Sequence, residues 1–172
     1  MEEQHHERRE QTRFALKAPA SARVPGQARI AARLLDLSLT GCRLVLGSHW
    51  PEGTGLWLQI AHLQPRFSQV MWAHDRFAGV RFSIPLEESD LTDLLTNFGA
   101  MSERDTSELR ALSIECTRLA QAEGAGNAHL VQLAQACSAQ AIRFDKDRHE
   151  QQRAVIAART QELLDRLSVR SN

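Results

Sequence analysis

The sequence predicts a β-rich half followed by an all-helical half. Two observations carry this. Up to about residue 83, apolar residues alternate in short runs separated by turn signals. From Ser102 onward they recur three and four residues apart, as one face of a helix requires. Several short strands at such spacing form a small barrel or a sandwich.

The elements follow in order. Phe14 and Leu16 alternate and predict a first strand directly after Arg13. Residues 29–37 and 41–46 read as two strands joined by the turn Asp36-Leu37-Ser38-Leu39-Thr40-Gly41. The turn signal Pro51-Glu52-Gly53-Thr54-Gly55 precedes a strand with Leu56, Leu58 and Ile60 on one face. Residues 67–73 and 78–82 complete the set. Pro85-Leu86-Glu87 opens a helix reaching about Phe98, with Leu91, Leu94 and Leu95 on its buried side. Leu109, Leu112, Cys116 and Leu119 mark a second helix. After Gly124-Ala125-Gly126, Asn127 suits the cap of a third, long helix, whose stripe runs through Leu130, Leu133, Cys137 and Phe144. Its middle, residues 145–153, is polar on every side. Val155, Ile156, Leu163, Leu164 and Leu167 then resume an apolar stripe that needs cover from its hairpin partner, the barrel or another subunit. The expected domains are 1–100, a barrel with its closing helix, and 101–172, a helical hairpin able to self-associate.

Charge narrows the function. Lys and Arg number 21, as do Asp and Glu, and both halves balance: 11 of each in residues 1–100 and 10 of each in 101–172. A nucleic-acid polymer is therefore not the expected partner, since such binders carry a broad basic field. Positive charge is densest from Arg8 to Arg13. No run approaches the roughly 18 apolar residues that span a bilayer, and the acidic, polar start lacks a signal-peptide core, so the expectation is a cytoplasmic protein without membrane insertion.

Two short motifs carry the chemistry. Arg8, Arg9 and Arg13 form Arg-Arg-x-x-x-Arg, and Asp36, Ser38 and Gly41 form Asp-x-Ser-x-x-Gly. Guanidinium forks grip phosphate bidentately and match the O6/N7 edge of guanine. The turn adds a carboxylate, a hydroxyl and a place for close backbone approach. Either motif alone is commonplace: a charged helix face produces the first, and an ordinary Asx-type turn the second. Their order and pairing resemble the PilZ domain family, whose members sense the bacterial messenger cyclic di-GMP. Val70-Met71-Trp72 and Gly79-Val80-Arg81-Phe82 match the strands with which that family commonly ends its barrel.

The resemblance implies a six-stranded antiparallel β-barrel with a flanking helix, here followed by the long C-terminal hairpin. It assigns Arg9 and Arg13 to phosphate and the guanine Hoogsteen edge, Asp36 and Ser38 to guanine, and Gly41 to the turn. Arg8 sits where an extra arginine accompanies two stacked, intercalated messenger molecules, which implies a ligand dimer. The function implied is a receptor without catalysis or resident cofactor, acting through an effector protein or its own assembly. The alternative is a PilZ-like adaptor that works by protein contacts alone.

Other residues read as structural. Cys42, Cys116 and Cys137 lie among apolar neighbours without metal-ligand spacing and are expected as buried thiols. His5 and His6 have no further ligands at useful spacing, so no metal is expected. Trp50, Trp57 and Trp72 are expected in the core, and Arg81 faces either ligand or solvent. No nucleophile elbow, phosphate loop or paired-carboxylate site is present in the sequence.

Overall fold

The computed structural model describes residues 12–122 and 127–169, with side chains to residue 162. The chain separates into two compact units, Met1–Ala100 and Met101–Asn172.

The first unit is a closed barrel of six antiparallel strands. β1 (Pro19–Arg23), β2 (Ile30–Leu37), β3 (Gly41–Leu46), β4 (Gly55–Ile60), β5 (Arg66–His74) and β6 (Phe77–Phe82) follow one another in the chain. Around the ring the order is β1-β2-β3-β6-β5-β4, and β4 returns to β1 through pairs such as Ala22 with Leu58. Side-chain alternation fills the interior: Leu34, Leu44, Leu56, Leu58, Val70 and Val80 all lie in one buried cluster. α1 (Glu88–Phe98) joins that cluster through Leu91 and Leu94, and Lys17 N–H donates to the Phe98 carbonyl at 2.9 Å.

The start of the barrel differs from expectation. Phe14 makes a single bridge to Leu37, and the first strand is Pro19–Arg23. Its sequence, Pro-Ala-Ser-Ala-Arg, is too short in large apolar groups to announce a strand. Its neighbours β2 and β4 supply the packing that holds it. Register also shifts between Leu34 and Asp36, a bulge on β2. The last four residues of β2 are consequently all buried, where alternation alone would bury two.

The tryptophans divide. Trp50 is buried, but Trp57 is 41% exposed and meets Phe67 edge-to-face at 5.4 Å. Trp72 is half-buried over the cross-strand partner Gly79, where a Cβ would lie 2.0 Å from its Nε1. The Trp72 and Gly79 motifs are thus one packing unit.

In the second unit α2 (Glu103–Ala122) and α3 (Ala128–Val169) form a hairpin. Ser102 caps α2: its Oγ donates to Asp105 Oδ2 at 2.7 Å while Asp105 N–H donates back to that Oγ at 3.3 Å. Leu109, Leu112 and Cys116 are buried on α2, and Leu130, Leu133, Cys137 and Ala141 on α3. Arg148 Nη2 donates to Thr106 Oγ1 at 3.2 Å, placing Arg148 beside the first turn of α2. From His149 to Glu162 every side chain is exposed, including Val155 and Ile156.

Candidate functional site

The β2–β3 connection is built as a rigid platform. Ser38 N–H and Ser38 Oγ both donate to the Gly41 carbonyl, at 2.8 and 3.1 Å. The turn is also tied to the end of β6 and the chain that follows it, since Phe82 N–H donates to Thr40 O and Leu86 N–H to Leu39 O. Gly41 is packed so closely that a Cβ would fall 2.2 Å from the Val80 carbonyl oxygen. Glycine is required here by the neighbouring strand, whatever a ligand demands.

Asp36 and Arg43 are direct partners across β2 and β3. Asp36 is only 1% exposed. Arg43 grips its Oδ2 through Nε at 2.7 Å and through Nη2 as well. Arg13 Nη1 donates to the other oxygen, Oδ1, at 3.1 Å. Phe14 sets Arg13 in place: its N–H donates to the Leu37 carbonyl at 2.8 Å and its carbonyl accepts from Leu37 N–H at 2.9 Å. A buried carboxylate is tolerable because two cations and several charge-assisted bonds satisfy it.

Beneath this cluster lies Cys42, fully buried. Burial pushes its thiol well above the usual range and the Asp36 carboxylate pushes it further, while Arg13 opposes them. The thiol is therefore a protonated, inert part of the wall. All three cysteines are buried thiols outside any disulfide.

Of the sequence-predicted site residues, Arg13, Asp36, Ser38 and Gly41 come together on one stretch of barrel wall. Arg8 and Arg9 lie outside the described residues. Sequence reasoning missed Arg43, although its alternation with buried Cys42 and Leu44 places it on the outer face. Arg81 is exposed on β6 opposite Gly41, on the same side of the barrel. Among the described residues no group of three or more His, Cys, Asp and Glu is arranged to hold a metal.

The sequence profile of the PilZ domain matches residues 7–98, which take in both motifs, all six strands and α1. The chain belongs to the PilZ domain family.

Several solved structures resemble this PilZ protein at low identity. The inhibitor of motility MotI/DgrA of Bacillus subtilis is 19% identical, with a TM-score of 0.42 over 52% of this chain and 49% of that one. The chain thus spans about half the length of MotI. The PilZ domain of YcgR from Escherichia coli, solved with c-di-GMP, is 18% identical, with a TM-score of 0.39 over 51% and 86% of the two chains. The Legionella protein Lpg0364 is also 18% identical, with a TM-score of 0.32 over 49% and 87%. No curated protein matches the sequence significantly.

Proposed function

We propose that this PilZ protein is a non-enzymatic cytoplasmic receptor for cyclic di-GMP. The observation that carries the reading is the meeting of Arg13, Asp36 and Arg43 beside the Ser38–Gly41 turn. Cyclic di-GMP presents two phosphates and two guanines, and this patch offers two guanidinium forks with a carboxylate between them. Arg13 is the movable member, with 37% of its side chain exposed against 11% for Arg43. Swinging Arg13 from Asp36 onto phosphate uncovers Oδ1, which then accepts from a guanine N–H. Ser38 stands beside that carboxylate, and Gly41 keeps the turn flat enough for the ligand to approach. Arg9 joins Arg13 on the ligand, and Arg8 extends the cluster to a second, intercalated molecule. The grip of the arginines on the ligand is what a partner protein reads as signal.

The apolar residues of α3 beyond Arg148 supply a surface for assembly. Val155 and Ile156 are exposed, and the apolar stripe continues in sequence through Leu163, Leu164 and Leu167. A second copy of the helix satisfies it in a homo-oligomer.

A second reading has its own support. Both Asp36 oxygens accept from arginine, as in a purely structural ion cluster. On that reading the protein is an adaptor acting by protein contacts. Titration calorimetry with cyclic di-GMP, against GTP and cyclic di-AMP, separates the two. Selective binding lost in Arg13→Ala supports the receptor, with a ratio of two ligands per chain supporting the role of Arg8. Absence of binding leaves the adaptor.

A further inference from the structure

The balance of charge over the whole chain conceals an imbalance in the barrel. Residues 12–83 hold nine basic residues and three acidic ones, Asp36, Glu52 and Asp75. Asp36 is buried and spoken for, while Glu52 and Asp75 lie in turns between strands. The outward positions of β1, β4 and β5 include Ser21, Arg23, Trp57, Gln59, Phe67 and Gln69, and none of these three strands contains a carboxylate. Two α1 carboxylates reach the β4–β5 end of the barrel, each already paired, Asp90 with Arg66 and Asp93 with His62 at 2.8 Å. An anion at the outward positions themselves meets arginine without a carboxylate.

One spot on the wall is concave. Ser21, Arg23, Arg29, Trp57, Gln59 and Pro65 line a groove of about 250 Å³. Strand register builds it: Ser21 faces Gln59 and Arg23 faces Trp57 across β1 and β4. Arg29 Nη1 donates to Gln59 Oε1 at 2.8 Å, which turns the Gln59 amide group outward as a donor. The polar side chains of the groove therefore present mainly donors: two guanidinium forks, an amide and a hydroxyl. Its remaining wall is Pro65 and the Trp57 ring, which is braced edge-on by Phe67 and still 41% exposed. Stacking platforms next to arginine forks suit a flat, acceptor-rich ring bearing an anionic group.

We propose that this groove is a second ligand site, distinct from the Asp36 cluster, that takes a nucleotide moiety. The base stacks on Trp57 with its edge on Gln59, and the phosphate sits on Arg23 and Arg29. Two sources carry this chemistry, a free mononucleotide and a stretch of single-stranded nucleic acid.

The test is tryptophan fluorescence of the full-length chain titrated with 5′-GMP and, separately, with a short oligothymidylate. Saturable quenching is expected with at least one probe. Quenching by GMP alone points to a free nucleotide, and much tighter binding of the oligonucleotide to a strand. Arg23→Ala, an exposed change that leaves the fold intact, weakens binding by about tenfold or more, as loss of charge-assisted hydrogen bonds requires. Arg13→Ala leaves the quenching as it was. The proposal falls if neither probe binds, if inorganic phosphate competes as well as the nucleotide does, or if the effect follows Arg13 instead of Arg23.

Discussion

Arg43 holds Asp36 from the facing strand by two nitrogens on one oxygen, and 11% of its side chain is exposed. Arg13 reaches the same carboxylate by one nitrogen on the other oxygen, from a more exposed position. The two arginines therefore have separable roles. Removing Arg43 takes both donors from Oδ2 of the buried carboxylate, which costs about 3 kcal/mol in comparable pairs. Removing Arg13 costs less, because its side chain is the more exposed of the two and water can reach Oδ1 in its place. Chemical denaturation of Arg43→Ala and Arg13→Ala should show this asymmetry. Equal losses would mean that both arginines are structural.

Binding should show a different ranking. Arg9→Ala and Arg13→Ala are expected to weaken cyclic di-GMP by about a hundredfold or more, since each removes charge-assisted contacts to phosphate. Calorimetry on variants with unchanged melting temperatures checks this. Wild-type affinity in both would sink the proposed clamp.

The Asp-x-Ser-x-x-Gly motif was legible because it lies in a hairpin whose turn announces itself. Residues 29–37 and 41–46 as read differ from β2 and β3 only at Arg29. The strand written Pro-Ala-Ser-Ala-Arg was not legible, because long-range pairing with β2 and β4 creates it. Phe14 and Leu16 misled by alternating where one bridge is all that forms. Arg43 was readable as an outward residue, but its pairing with Asp36 follows from a bulge at Leu35 that no alternation rule reveals. Trp57 misled too: aromatic residues on strands favour the core, and this one faces outward.

Gly79→Ala tests the packing of Trp72. The added methyl occupies the place of the indole, so the ring must move, at a cost of about 1–3 kcal/mol for overpacking. Lower denaturation midpoints with altered near-ultraviolet circular dichroism are expected. An unchanged spectrum would show that the indole has room to spare.

Cys42 should resist alkylation. Its thiol is held protonated by burial and by Asp36, so iodoacetamide at mildly alkaline pH should modify it only after unfolding. The sign of the pH effect follows. Above about pH 8.5 an unfolded chain sheds this proton and the native chain keeps it, so the raised pKa makes stability fall as pH climbs. Cys42→Ala should flatten that part of the stability profile. Rapid labelling of native Cys42 would contradict its place beneath the cluster.

Paired charges on α3 test assembly. Val155→Glu with Ile156→Glu places two carboxylates on the exposed stripe while leaving the hairpin contacts before Arg148 untouched. Sedimentation velocity should show a smaller species, with cyclic di-GMP binding retained. Identical sedimentation of variant and wild type would remove the stripe from any interface.

Because β4 returns to β1, all six strands already have a neighbour on either side. Another chain cannot dock by lending a strand, as happens with open sheets, and the same closure shields the barrel from edge-to-edge aggregation. Whatever meets this barrel must recognise its side chains, turns or flanking segments. Its selectivity is accordingly written in the outward-facing half of each strand, where single substitutions can rewrite it without disturbing the ring.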